Sequence, residues 1–289
     1  RLAGPMERLL RYGDVDEYNS PTYDGIDVLA LGLWAMYPPT KGFADAASTM
    51  LPAIGKRIST LHHRRVGTSC GPYIRAYGLD PRSYVSLSGL LYSVCGEEPH
   101  TALPSPITPD TVHVHDLYFL PLLQHVAPVI TPHLRLSAVT GERRHVQRFR
   151  DSVAESLLRP DLAVGWESGR RHQASLDQYV PFTAHVAEPD GTTTAFGVML
   201  GPETAWVDVE RVGDLEFAVR AAGRGDTVGL RFVGGPSSRS LDGPLGIGRV
   251  GVDFDVTPTE VADRSTHGRS ELVVTWPSGT IVGHISITE

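Results

Sequence analysis

Leu272-Val-Val-Thr-Trp276 and Ile281-Val-Gly-His-Ile-Ser-Ile287, on either side of Pro277-Ser-Gly279, set the pattern by which the larger part of the chain is read. Both runs are short and rich in β-branched residues, and turn residues join them, so they predict a β-hairpin. Working back toward the N-terminus, similar runs recur at Gly248 to Val256, Thr227 to Val233, Leu215 to Ala221, Ala205 to Val212, Thr193 to Leu200, Tyr179 to Val186, Leu162 to Trp166 and His133 to Val139. Asp-Gly, Gly-Pro and Pro-Ser-Gly signals separate them, which is the pattern of an antiparallel sandwich rather than of βαβ units.

The first hundred residues read differently. From Asp24 to Tyr37 the apolar residues Ile26, Val28, Leu29, Leu31, Leu33, Trp34 and Met36 are too dense for a one-sided surface helix, so a largely buried helix is expected, stopped by Pro38-Pro39. A second helix is expected from about Gly42 to His63, kinked near Pro52, and a third from about Arg82 to Val94, ending at Gly96. Between them Gly67 to Asp80 is a long loop rich in Gly and polar groups, a kind of segment that often carries function. Pro99, Pro104, Pro106 and Pro109 place a boundary between Glu98 and Thr111. The expected division is a helical domain over 1–105 and a sandwich domain over 106–289, the latter opening with a short helix from Asp116 to His125.

Composition narrows the function classes. The chain has 289 residues, 26 Lys plus Arg against 33 Asp plus Glu, and a net charge of -7. That argues against disorder, and no apolar run approaches the roughly 20 residues of a membrane-spanning helix. An acidic chain with no dense basic block is not expected to bind nucleic acid. Arg1-Leu-Ala-Gly-Pro5 lacks the features of a signal peptide, and localisation stays open. Cys70 and Cys95 make neither a disulfide framework nor a thiolate cluster, and no cofactor is expected.

Several constellations could carry chemistry. In Glu17-Tyr-Asn-Ser-Pro-Thr-Tyr23, Ser20 or Thr22 suits a helix cap, while Asn19 and Tyr23 bring an amide and a phenol to the helix entrance. His62-His63 and Arg64-Arg65 close the second helix, where the dipole favours cations; facing a cleft, a neutral imidazole there could take a proton. Tyr73, Arg75, Tyr77 and Asp80 follow within a few residues, and Arg75 could hold a carboxylate in a bidentate fork beside a proton-donating Tyr73 or Tyr77. Trp166-Glu167-Ser168 with Arg170, Arg171 and His172 is a polar knot in the sandwich region. His113-Val-His115-Asp116 would put two histidines on one face of a strand, but no third ligand follows at a suitable spacing, so no metal site is expected. Cys70, in Ser69-Cys70-Gly71, reads as a small buried hydrophobe.

Three stretches together resemble heparinase II/III-like proteins: Glu17-Tyr-Asn-Ser-Pro-Thr-Tyr-Asp-Gly-Ile-Asp-Val-Leu-Ala-Leu31, Gly71-Pro-Tyr-Ile-Arg-Ala-Tyr-Gly-Leu-Asp80 and Val164-Gly-Trp-Glu-Ser168. The resemblance implies an (α/α) toroid followed by an antiparallel β-sandwich. Three or four helices are too few for a closed ring, so it implies a partial toroid, completed by a segment before Arg1 or by a second chain. It also implies a polysaccharide lyase that cleaves an acidic polysaccharide or oligosaccharide by β-elimination in a cleft between toroid and sandwich. By residue type, Asn19 or Arg75 would neutralise the uronate carboxylate, and His62 or His63 with Tyr23, Tyr73 or Tyr77 would exchange protons. Asp80, Trp166 and Arg170 would complete the substrate contacts. Two other functions fit the residues: a cyclase, dehydratase or isomerase of terpenoid or polyketide metabolism, and a non-catalytic carbohydrate-binding protein. An Arg-lined groove would mark the lyase, a closed apolar cavity the small-molecule enzyme, and an exposed aromatic sandwich face the binding protein.

Overall fold

A computed structural model describes residues 18–79, 83–96, 103–171, 178–234, 245–264 and 270–288. Helix α1 (Asp24–Met36) buries Val28, Leu29 and Leu31, as its apolar density requires. It packs against α2 (Lys41–Leu61), α3 (Leu87–Cys95) and α4 (Leu120–Ile130). Two glycines of α1 permit the close approach: a Cβ on Gly25 would meet the backbone of Leu87, and one on Gly32 would meet Val126 and Ile130. α2 carries Pro52 internally, and α3 starts at Ser86, whose Oγ accepts a hydrogen bond from Gly89 N at 2.9 Å. The helices continue past residue 105 to α4, and the first sandwich strand begins at Arg143.

The expected partial (α/α) toroid is overturned. Among the described residues strand outweighs α-helix, and the four α-helices gather as one small cluster around α1 instead of following one another around a ring. The physical reason lies in α1 itself. Its apolar residues point in too many directions for a helix that faces only one hairpin partner, and it satisfies them by touching all three other helices.

The strands form a ribbon and two larger sheets, paired antiparallel throughout. β1 (His62–His63) pairs with β2 (Thr68–Ser69). The eight-stranded sheet contains β3 (Arg143–Arg148), β4 (Val153–Arg159), β5 (Leu162–Ser168), β6 (Phe182–Ala187), β7 (Thr193–Leu200), β10 (Val228–Gly234), β13 (Glu260–Asp263) and β14 (Ser270–Trp276). The five-stranded sheet contains β8 (Thr204–Arg211), β9 (Glu216–Gly223), β11 (Leu245–Ile247), β12 (Val250–Phe254) and β15 (Thr280–Ile287). Their orders are β13-β14-β10-β7-β6-β5-β4-β3 and β11-β12-β15-β9-β8.

The expected hairpin at Pro277-Ser-Gly279 is a corner between sheets. β14 pairs with β10 and β13, whereas β15 pairs with β9 and β12. Crossing over lets Val274 and Trp276 enter the core from one sheet and Ile281 and Ile285 from the other. The strand expected at His133 to Val139 is absent, because Thr131–His133 is a short 3-10 turn and Leu134 and Leu136 then pack on the helical cluster. No helix among the described residues is long and apolar enough to cross a membrane.

Period-two alternation gives the eight-stranded sheet two different faces. Leu157, Val164, Trp166, Phe182, Ala184, Phe196 and Val198 face the five-stranded sheet and form the sandwich core. The alternate positions of β4 to β6 belong to the outer face, where Ala154, Leu158, Ala163 and Ala187 pack against residues of the 61–74 region. Ser156, Gly165, Glu167, Thr183 and His185 occupy alternate positions of that same face. A buried, partly polar seam therefore joins the helical region to the sandwich.

Candidate functional site

The seam is built from three pieces of chain. Residues 18–20 turn into α1, with Asn19 in the left-handed region at φ 53°, a conformation Asn tolerates better than most residues. Its Nδ2 donates to Cys70 O at 2.6 Å and Pro72 O at 3.0 Å, tying the helix entrance to the following loop. Ser20 Oγ donates to Arg75 O at 2.6 Å and accepts from Tyr23 N at 3.2 Å, so it braces the turn before α1. Beneath it Asp24 and Arg57 form a bidentate buried ion pair at 2.7 and 2.9 Å.

The second piece is the 62–79 segment. His62 and His63 lie in the β1–β2 ribbon, beyond the end of α2, and both are buried. His63 is held neutral with its proton on Nε2, because Nε2 donates to Arg159 O at 2.7 Å while Nδ1 accepts from Val66 N at 3.3 Å. Burial lowers the pKa of this imidazole, partly opposed by the bond to Arg159. His62 packs edge-on against Tyr92 at 4.7 Å between ring centroids, and its Nδ1 finds no partner among the described residues. Tyr73 pairs with Val180 through both backbone groups, donates its hydroxyl to Ser69 O at 2.5 Å and is fully buried, which pushes its pKa up. Burial likewise pushes the Cys70 thiol up, so it is no thiolate nucleophile.

The third piece comes from the outer face of the sheet. His185 Nε2 donates to Leu79 O at 3.1 Å, and because a carbonyl can only accept, this bond fixes a proton on Nε2. Its ring lies 6.4 Å from that of Tyr73. Glu167, buried, accepts from Ser152 Oγ at 2.6 Å, from Tyr179 Oη at 2.9 Å and from Arg170 Nε at 2.8 Å. The Arg170 guanidinium also lies over the rings of Phe149 and Tyr179.

The sequence-predicted residues thus separate into groups. Asn19, His62, His63 and Tyr73 are all buried in or beside the seam, where each is seen against a different partner. Tyr23 and Arg75 lie at its half-buried rim, where the guanidinium sits 4.8 Å from the centre of the Tyr23 ring and Arg75 Nε donates to Gln178 Oε1 at 2.5 Å. Tyr77, also half-buried, stacks on His113 at 4.6 Å. Arg170 serves Glu167, and Trp166 faces the sandwich core against Phe217, away from the seam. Asp80 lies outside the described residues. Sequence reasoning missed His185 and Gln178, and it named Glu167 only as part of the polar knot around Trp166 and Arg170. The available signal for His185 was a lone imidazole in the apolar run Phe182-Thr-Ala-His-Val-Ala187, whose two faces are both buried.

His62 predicts a pH dependence of stability. Burial, then the charges of His63, Arg143 and Arg64, hold its pKa down to about 3, against an ordinary value of 6.5. Below 6.5 the unfolded chain takes up a proton that the folded chain refuses until about 3, so stability is lost as pH falls through that window. The slope is about 1.4 kcal/mol per pH unit, or about 2 kcal/mol from this group by pH 5. Urea unfolding at pH 7 and pH 5 measures it, and His62→Phe is expected to flatten the difference; an unchanged slope would refute the assignment.

A cavity of about 510 Å³ opens elsewhere on the sandwich, at the β7–β8 turn and strands β10 and β14. Arg224, Arg231 and Arg264 line it together with Glu203 and Glu271, and Arg231 Nε meets Glu271 Oε1 at 3.0 Å.

A family model described as "Domain of unknown function (DUF8769)" matches residues 8–128. The span takes in Asn19, His62, His63, Tyr73 and Arg75 and ends before the sandwich strands. No curated protein and no solved structure matches the chain.

Proposed function

We propose that the protein is a lyase that cleaves an acidic polysaccharide or oligosaccharide by β-elimination at the rim of the seam. One observation carries the reading: the Arg75 guanidinium, held through Nε by Gln178, lies on the face of Tyr23 at a half-buried position, which puts a fixed cation beside a phenol. β-Elimination needs that pairing. The cation draws charge from the uronate carboxylate, the adjacent C–H gives its proton to a base, and a carbon–carbon double bond forms as the β carbon–oxygen bond breaks and the leaving oxygen is protonated. Tyr23 is the group in place for proton exchange, and Tyr77 adds a second phenol two residues from Arg75. Asn19, His63 and Tyr73 support this rim from beneath through hydrogen bonds made within the seam, and His62 is closed off by burial.

A panel of uronic-acid polymers tests the reading through the ultraviolet absorbance of an unsaturated uronate product. Tyr23→Phe is expected to lower kcat by about 100-fold or more with an unchanged Tm, in the range of a lost acid–base group. Tyr73→Phe is expected to lower stability more than turnover. If Tyr73→Phe instead abolishes turnover in a stably folded protein, the chemistry belongs to the Tyr73–His185 pair. Absorbance that fails to appear with every polymer would sink the lyase reading, and binding without turnover would favour the carbohydrate-binding alternative.

A further inference from the structure

The structure assigns a divalent transition-metal site of the zinc class to His113, His115 and Asp116, independently of the lyase reading. The sequence places His113 and His115 as a pair short of a third ligand, on the assumption of a strand. The chain instead takes a left-handed turn at His113, φ 58°, and enters a 3-10 helix over Val114–Phe119. That turn brings Asp116 back beneath both imidazoles, so the third ligand comes from the same short segment. One ligand atom from each residue falls within 4.8 Å of the other two.

The spacing distinguishes a ligand set from a hydrogen-bonded cluster. Asp116 Oδ2 lies 3.8 Å from His113 Nδ1 and Asp116 Oδ1 lies 3.4 Å from His115 Nε2, both longer than the 2.7–3.2 Å or so of a direct N–H···O bond. Ligand atoms about 2.0–2.1 Å from a tetrahedral zinc are separated from one another by about 3.3 Å, so the carboxylate already stands near the required distance from both rings. Rotation of His115, whose side chain is 69% exposed, closes the remaining gap.

The surroundings fix the other two ligands. Tyr77 stacks on the His113 ring at 4.6 Å and Tyr84 meets it edge-on at 6.3 Å. Val112 bridges Tyr84 and accepts from Val85 N at 3.0 Å, Val114 N donates to Thr111 O at 3.0 Å, and Asp116 N donates to His113 O at 2.9 Å. This segment is thus anchored on both sides of His113 before any ion arrives. Two imidazoles and one carboxylate select zinc and neighbouring first-row ions over calcium or magnesium, which prefer all-oxygen shells. Three protein ligands leave a position open for water or an oxygen ligand.

The test uses full-length protein stripped with a chelator, dialysed and titrated calorimetrically with Zn²⁺, and with Co²⁺ followed by its visible ligand-field bands. One equivalent of each is expected. His115→Ala removes an exposed side chain and Asp116→Asn is isosteric, so neither threatens the fold. Each is expected to weaken Zn²⁺ binding by at least about 100-fold, beyond the 10–100-fold or so that losing an outer-shell partner costs. His284→Ala, an exposed histidine on β15, is expected to bind like the parent. Failure of the parent to take up a stoichiometric ion overturns the assignment. So does parent-like binding by both His115→Ala and Asp116→Asn, or equal weakening in His284→Ala.

Discussion

Asp24→Ala is expected to destabilise the protein by about 3–5 kcal/mol, the cost of stripping one partner from a buried ion pair. Asp24 and Arg57 have side chains only 2% and 4% exposed, and the carboxylate takes both guanidinium nitrogens in a fork. Removing the carboxylate leaves a guanidinium that cannot neutralise itself, because arginine keeps its proton at any accessible pH. The charge also lies 5.3 Å from the Tyr18 ring, so the loss reaches the turn that carries Asn19. At about 2–4 °C per kcal/mol for a chain of this class, Tm should fall by about 10 °C. Replacing both partners by apolar residues of similar volume should recover much of the loss, since buried pairs often roughly break even against hydrophobic isosteres. A Tm for Asp24→Ala within 2 °C or so of the parent would mean that water reaches Arg57 and the pair is not buried as described.

The apolar residues made α1 legible, because their density leaves no solvent face, and its observed span matches the expectation to one residue. Most sandwich strands were legible because short runs rich in β-branched residues are set off by Asp-Gly, Gly-Pro and Pro-Ser-Gly turn signals, as at Thr193–Leu200 on β7. β3 was not, because Arg143-Arg-His-Val-Gln-Arg148 lies at the sheet edge, where charged side chains keep a strand from pairing with other chains and hide its apolar signal. The toroid expectation failed at the level of helix packing. Motif resemblance spoke to local sequence at Asn19 and Tyr73, whereas whether helices form a ring or a cluster depends on which surfaces Gly25 and Gly32 admit.

The site was legible as residue types but not as positions. Asn19, Tyr73 and the histidines were singled out as chemical groups, yet burial decides what each can do. A phenol whose pKa burial has raised and whose proton is committed to Ser69 O is a poor partner for a polymer, while Tyr23 with the same functional group lies half-buried at the rim. Asp116 differs in position: the left-handed residue at His113 brings its carboxylate near both imidazoles, whereas strand-period reasoning sends it to the other face.

Gly165→Ala should be among the most damaging single methyl additions in the seam. A Cβ at Gly165 would fall inside the contact distance of Gly71 O and C and close to Pro72 N, all backbone atoms that cannot rotate aside. Gly71 is itself pressed on Thr183, so the loop has no room to shift along the sheet and must lift. Lifting strains the bond from Ser156 Oγ to Gly71 O at 2.6 Å, those from Asn19 to Cys70 O and Pro72 O, and the backbone pairing of Tyr73 with Val180. Overpacking alone costs about 1–3 kcal/mol, and each buried polar group left unpaired adds about 1–3 kcal/mol, so a total above about 4 kcal/mol is expected. Gly141→Ala is the control, because nothing lies within 4 Å of its Cβ position, and it should change stability by less than about 0.5 kcal/mol. Hydrogen exchange locates the damage: protection of Tyr73 and Ala76 amides, which donate to Val180 O and Gln178 O, should collapse in Gly165→Ala before that of the β9–β15 pair. If those amides stay protected while the whole protein loosens evenly, the loop is not seated on β5 as the geometry requires, and Arg75 and Tyr23 owe their juxtaposition to something other than this seam.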